Sequence, residues 1–325
     1  MSAKMKIGLI DIDSKIPNLA LMKLSAYYKK VFKYDVELTS PLFATNYDMI
    51  FASKVFTYSY MPILDEEINL GGSGIDLKSK LKDQIEHMMP DYSLYPKIDY
   101  SLGFTTRGCM RKCPFCIVPQ KEGKIKFNAD IYEFLDPRFK NVILLDNNIF
   151  ALNRQFEKIA EQLLNENLRV DFNQGLDIRL LNDDKAKILK QLKPIKQWRF
   201  AFDSIKQEKI FRRGAEILLN NNISKSFVCV YVLAAFDEDF ETTLKRVKII
   251  YEEYGFDPFV MIYQDFSEIK SEARECRHIK KWGRNFKELK TVLNTPSWKK
   301  WKEFARWVNK KEIFKSVKWE DYTVG

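Results

Sequence analysis

The sequence predicts an α/β protein with two parallel-sheet units and a basic helical tail. Three observations predict it. Short apolar strands alternate with helices of 3.6-residue period, six such strands follow one another after Tyr100, and cations crowd residues 270–325.

The first unit is justified element by element. Residues 6–10 (KIGLI) form an apolar strand. Residues 18–31 set Leu19, Met22, Leu24 and Ala26 among polar neighbours, as a helix does. Residues 34–38 alternate like a strand, and 47–52 (YDMIFA) form another apolar one. Residues 68–77 (INLGGSGIDL) are a strand running into a glycine-rich turn. Those glycines could cradle a phosphate, but glycine-rich turns usually serve only to let the chain turn, and that reading is preferred. This order predicts a small flavodoxin-like half-sheet. Residues 81–95 are polar, contain Pro90 and precede Pro96, so they read as a linker.

The second unit has strand candidates at 100–104, 142–145, 169–173, 198–202, 227–233 and 258–263. Phe156, Ile159, Ala160, Leu163 and Leu164 trace one face of a helix over 155–168. Phe240, Leu244, Val247 and Tyr251 do the same over 239–254, with Gly255 as the stop. Asn182 and Ser204 stand where N-caps would. Six alternating units predict a parallel sheet curved into a partial (β/α)6 barrel, with chemistry at the C-terminal strand ends. The domains expected are 1–97, 98–268 and a basic, Trp-rich extension over 269–325.

Composition narrows the class. Hydrophobic residues make up 46% of the 325, enough for a substantial core, and no apolar run approaches the roughly 18 residues of a membrane span. Asp11 and Asp13 interrupt the apolar N-terminus, which therefore reads as a strand and not a signal peptide. Five cysteines, an odd number, fit a reduced cytoplasm better than a disulfide framework. The net charge of +10 is concentrated in residues 270–325, where 16 Lys and Arg face 7 Asp and Glu. Such a segment is either a polyanion footprint or a solvated helical surface.

Residues 103–123 read GFTTRGCMRKCPFCIVPQKEG, with Cys109, Cys113 and Cys116 in a C-x3-C-x2-C array. Zinc wants four ligands, or three and an open position, usually with histidine. The chain has two histidines, His87 and His278, and neither lies in a ligand motif. A disulfide would leave one thiol over. An iron–sulfur cluster fits better, because thiolates are its usual ligands and three of them leave one iron open. Arg107, Arg111 and Lys112 would offset the cluster's negative charge.

This loop, after the first strand of a (β/α)6 series, resembles that of the radical S-adenosylmethionine (SAM) superfamily. The resemblance implies a [4Fe–4S] cluster on Cys109, Cys113 and Cys116, with SAM on the open iron and Phe115 near its adenine. It also implies reductive cleavage of SAM to a 5′-deoxyadenosyl radical that abstracts hydrogen from a substrate. GCMRKCPFCIVPQKEG is similar to the loops of tRNA methylthiotransferases and of radical SAM enzymes with an N-terminal cobalamin-binding-type domain. LLDNNIFALN resembles the second-strand motif of the latter group, which puts Asp146, Asn147 and Asn148 near the SAM amino group. DFNQGLDIRLL resembles the third-strand motif, with Gln174, Asp177 and Arg179 at the site, and FAFDS offers Asp203 and Ser204 at the fourth. The tail ARWVNKKEIFKSVKWEDY also resembles that branch. Asp146, Asp177 and Asp203 could each simply cap a following helix, but three acids at three successive strand ends favour a cofactor role. Arg179 could grip a carboxylate ligand or pair with Asp177.

Two departures stand out. The D-x-H-x-x-G motif of cobalamin-binding domains is missing, since DIDSKIPN follows the first strand, so the N-terminal domain is expected to be degenerate and cobalamin is not expected. The methylthiotransferases' three further N-terminal cysteines are also missing. Cys229 in an apolar strand and Cys276 in a basic helix read as a core residue and a surface residue, so sulfur insertion is not expected.

The substrate is less legible. Trp298, Trp301 and Phe304 share a helix face that reads as packing against the barrel, while lysines opposite could meet phosphates. The basic tail and the tRNA-enzyme-like loop favour a nucleoside in RNA or DNA, with flavodoxin or ferredoxin as electron donor. The alternatives are a peptide, protein or small-molecule substrate, or a non-catalytic nucleic-acid-binding protein stabilised by a metal.

Overall fold

The computed structural model describes residues 4–64, 67–263 and 296–322. Cys276, His278 and the expected boundary at 268–269 lie outside the described residues.

Strands β1 (Lys6–Asp11), β2 (Asp35–Leu38), β3 (Met49–Ser53) and β4 (Asn69–Gly71) form an all-parallel sheet in the order β2-β1-β3-β4. Helix α1 (Leu19–Tyr27) joins the first two. Its cap, Asn18, accepts from the Leu21 N–H and donates to Ser14 and Ser53, which ties the helix start to the end of β3. Leu21 and Met22 of α1 pack on Ile7 and Leu9 of β1.

The glycine-rich stretch after β4 is a turn, as read. A Cβ on Gly72, whose φ is +96°, would lie 2.3 Å from the Lys54 carbonyl oxygen. The N–H groups of Gly74, Ile75 and Asp76 all donate to nearby backbone carbonyls. They are thus engaged internally and do not converge on a phosphate.

Residues 81–95 differ from the expected linker. They carry a helical turn, Asp83–Glu86, and a 3-10 turn, Tyr92–Leu94, and they bury Ile85, Tyr92 and Leu94. The Tyr92 hydroxyl donates to the Phe134 carbonyl (2.5 Å) and accepts from the Leu102 N–H (3.1 Å). Polar composition hid this packing, because the polar groups have their partners far away in sequence.

Among the described residues the second unit has six parallel strands of four or more residues in sequence order, and the two-residue strand Lys193–Pro194 pairs at the edge of the third. Strands β5 (Tyr100–Gly103), β6 (Asn141–Leu144) and β7 (Arg169–Phe172) form one sheet, and β8 (Trp198–Ala201), β9 (Val228–Ala234) and β10 (Asp257–Ile262) another. The bridge between Leu176 and Phe200 joins the two. Helices α2 (Asn153–Asn165), α3 (Asp183–Gln191), α4 (Glu208–Asn220) and α5 (Phe240–Lys248) follow β6 to β9. Their apolar stripes share one core with Val142, Val170, Phe200 and Val232. Gly255 takes φ +70° just past the last turn, as expected of a stop. Asn182 caps α3 as read.

Arg246 of α5 is fully buried. Its guanidinium donates to the carbonyls of Phe202 (2.6 Å) and Leu233 (2.7 Å) and pairs with Glu238 (2.8 Å). It therefore fastens together the ends of β8 and β9.

The tail helices α6 (Pro296–Asn309) and α7 (Lys311–Ser316) pack on β10 and α5. Phe304 and Trp307 are buried, and Asn309 bonds both the N–H and the carbonyl of Val260. Trp301, Phe304 and Trp319 surround Phe240 at centroid distances of 4.9–5.4 Å. Of the expected stripe Trp298, Trp301 and Phe304, Phe304 is core and Trp301 packs partly buried against it, while Trp298 is only half-buried and lies outside that cluster. Among the described residues no helix is long and apolar enough to cross a membrane.

Candidate functional site

The C-terminal ends of β5 to β8 converge on the cysteine loop. A two-residue antiparallel pairing of Thr106–Arg107 with Lys126–Phe127 closes its neck. The Cys109 N–H donates to the Gly123 carbonyl at 3.2 Å. Gly108 has φ +84°, and a Cβ there would lie 2.4 Å from the Lys124 oxygen, so the neck requires glycine.

Cys109, Cys113 and Cys116 are half-buried. Two sulfurs receive backbone donors, Cys109 from the Arg111 N–H (3.3 Å) and Cys116 from the Val118 N–H (3.5 Å). The Asn148 amide also donates to Cys109 at 3.5 Å. Burial, aided by the neighbouring thiols, pushes Cys116 above its ordinary pKa. Sulfur-directed N–H groups are what a thiolate-held cluster uses to spread its charge, so the donor set fits one. Among the described residues, no three His, Cys, Asp or Glu side chains converge on a point where one metal ion could sit. A cube of four irons is gripped at separate corners and needs no such convergence.

Asp146 is buried at the end of β6, and four donors meet its carboxylate. They are the Thr105 N–H (3.0 Å) and hydroxyl (2.7 Å), and the Thr106 N–H and hydroxyl. Burial raises its pKa against the pull of those hydrogen bonds. The carboxylate thus bolts down the start of the cysteine loop, and its oxygens are engaged there, not with a ligand. Asn147 accepts from the Gly108 N–H at 3.3 Å and holds the next residue of the neck. Asn148 is buried, and its Nδ2 donates to Cys109 and to Asp177 (3.2 Å), while its Oδ1 lacks a partner.

Asp177 is the hub of the third strand end. Arg179 grips both its oxygens (2.5 and 3.0 Å), and Arg111 of the loop donates at 3.0 Å. Burial raises the carboxyl, but the two guanidiniums outweigh burial and hold it below the ordinary range. Of the three expected charge-balancing cations, then, Arg111 pairs with Asp177 and Arg107 with Glu86 and Glu122, while Lys112 is exposed.

Gln174 is exposed and bonds the adjacent Asn173. Ser204 caps the turn after β8 and donates to Glu238 at 2.8 Å, so it serves the scaffold. Asp203, beside it, has its pKa pushed up to about 6 by burial, eased by Arg246 and Arg179. Phe115 lies edge-on to Phe236 after β9 (5.5 Å), which meets Tyr263 after β10 (4.8 Å). The loop therefore reaches across the mouth to the far strands. Thr105, Thr106, Phe236 and Tyr263 escape a sequence reading. The only available signal was the Thr-Thr pair directly before the loop.

Cys229 is buried near the start of β9, the end opposite the cysteine loop, and burial raises its thiol to about 11. It is inert core, as read.

No protein-family model matches the sequence, and no curated protein matches it. Solved structures do resemble it. One is the cobalamin-dependent S-adenosylmethionine radical enzyme OxsB with aqua-cobalamin and S-adenosylmethionine bound, at TM-score 0.52 and 10% identity over 83% of this chain. This chain shares the fold of OxsB. It spans about half of that protein, 54% of its length. OxsB with aqua-cobalamin alone gives TM-score 0.48 at 9% identity, covering 75% of this chain and 52% of that one.

Proposed function

We propose that this chain is a radical S-adenosylmethionine enzyme. The observation that carries the reading is the placement of Cys109, Cys113 and Cys116 on a loop at the C-terminal strand ends, with N–H groups aimed at two sulfurs. Its support is the fold shared with OxsB.

The three cysteines would hold a [4Fe–4S] cluster, with SAM on its open iron. When bound, that pair supplies one-electron reduction of a sulfonium and, from it, abstraction of a hydrogen atom. Asp146 and Asn147 keep the loop in register with β5 and β6. Asn148 presents a buried, unpartnered carbonyl oxygen that suits an ammonium group. The Asp177 ion cluster fixes Arg111 and Arg179 beside the thiols. Phe115, Phe236 and Tyr263 form a half-buried aromatic cluster at the mouth, against which an adenine ring could pack. Flavodoxin or ferredoxin would deliver the electron.

OxsB carries cobalamin. At the end of the first strand here, Asp11 accepts from Tyr95 and Asp13 accepts two backbone N–H groups, with no histidine in the stretch. The N-terminal unit is read as a degenerate cobalamin-binding-type domain working without cobalamin.

For the substrate, the reading is a nucleoside in RNA or DNA. Lys299, Lys302 and Arg306 are exposed at three- and four-residue spacing on α6, opposite its buried aromatics, and Lys310 is exposed just past its end. Such a stripe suits a row of phosphates.

The test is anaerobic purification and reconstitution, followed by iron and sulfide counts and a 5′-deoxyadenosine assay with dithionite and SAM. About four irons per chain and deoxyadenosine formation are expected, with both lost on changing any of the three cysteines to alanine. Zinc in place of iron, or cleavage that survives the alanine changes, rejects the assignment. RNA binding that is absent or indifferent to salt rejects the substrate reading.

A further inference from the structure

The neck of the cysteine loop is tied to the N-terminal unit by a chain of alternating charges. Lys23 of α1 donates to Glu86 Oε1 at 3.1 Å and to the Glu86 carbonyl. Arg107 Nη2 donates to the same Oε1 at 2.6 Å. Its Nη1 reaches Glu122 Oε1 at 3.3 Å, and the guanidinium lies 3.6 Å from the centre of the Phe104 ring. Arg107 precedes Cys109 by two residues, and Glu122 follows Cys116 by six. One guanidinium thus holds both ends of the loop, and Glu86 anchors that guanidinium from outside the barrel.

The four side chains are between 7% and 17% exposed, so solvent screens the chain little. Its charges run plus, minus, plus, minus, with the more exposed Lys121 also reaching Glu122 at 3.6 Å. Without Glu86, Lys23 and Arg107 would face each other as buried cations, and removing one partner of a buried pair is the costly change.

We propose that Glu86 is a positioning residue that clamps the neck of the cysteine loop to the N-terminal unit. Residues 81–95 are then part of the site's machinery, and the N-terminal unit serves the loop as a mechanical support. The consequence for a bound cluster rests on the function proposed above. The clamp itself does not, and it can be read in metal-free protein.

The experiment compares wild type with Glu86→Gln, and with Glu253→Gln as a control on an exposed ion pair of the outer wall. Hydrogen exchange is followed by mass spectrometry across residues 104–123 of the metal-free chain. Glu86→Gln should speed exchange there by about tenfold or more, with the rest of the molecule and the control unchanged. In reconstituted protein the same variant should lose iron to a chelator faster and shift the electron paramagnetic resonance of the reduced cluster. Exchange equal to wild type overturns the clamp. A loosened loop in a protein whose wild type takes up no iron upholds the clamp and rejects the cluster. Should Glu86→Gln fail to fold, Lys23→Met must loosen the same peptides and Lys23→Arg must restore them. No loosening with Lys23→Met overturns the proposal.

Discussion

Asp146→Asn separates a structural bolt from a ligand contact. In the wild type the carboxylate meets two N–H groups and two hydroxyls from Thr105 and Thr106. Asparagine keeps one acceptor oxygen, which can serve the three donors now on Oδ1. Its NH2 then faces the Thr105 N–H, which loses its acceptor in a buried site. An unsatisfied buried donor costs about 1–3 kcal/mol, and hydrogen bonds to a charge are worth about 1.5–3 kcal/mol against about 1 for neutral ones. Burial outweighs those hydrogen bonds in raising the Asp146 pKa, so removing the charge offsets the charge-assisted part and leaves the cost of the orphaned N–H. The net expectation is a loss of about 1–3 kcal/mol, a sizeable fraction of the stability of an ordinary domain. The assay is urea unfolding of metal-free protein followed by circular dichroism, with proteolysis at the cysteine loop as a local readout. Stability within about 0.5 kcal/mol of wild type, together with weakened SAM binding, would refute the bolt and return Asp146 to the ligand.

Three further outcomes follow from the packing. Arg246→Met removes the link between β8 and β9 and leaves Glu238 buried without its cation, so about 3–5 kcal/mol should be lost in the same unfolding assay. Gly72→Ala must accept φ +96° and a Cβ against the Lys54 carbonyl, at a cost of about 2 kcal/mol or more, seen as lower chemical stability with an unchanged cysteine loop. Asp203→Asn should change the pH dependence. A carboxyl raised to about 6 favours the folded state most fully below the ordinary aspartate range and loses that advantage as pH rises through about 6. The metal-free variant should therefore gain on wild type across about pH 4–7, by up to about 3 kcal/mol, and a pH-independent difference would refute the assignment.

Much of the architecture was legible because periodicity is local. Each of the six strands of the second unit lies within a residue or two of its apolar run, and α2 and α5 follow their apolar spacing. The cysteine array needs no tertiary information to be recognised. The linker reading of 81–95 failed for the opposite reason. Lys23 with Glu86, and Tyr92 with Phe134, pair across 63 and 42 residues, and no local pattern records a partner that distant.

The sequence by itself determined the elements, their order and the three thiols on one loop, since spacing along the chain carries that information. Only the tertiary structure decided what the polar residues at the strand ends do. Asp146 turns inward to two threonines, Asp177 to two arginines and Ser204 to Glu238, while Asn148 alone of the predicted strand-end residues retains a buried polar atom without a partner. A carboxylate or amide has the same formula whether it binds a ligand or a backbone. Its role is set by which donors the fold brings within about 3 Å of it.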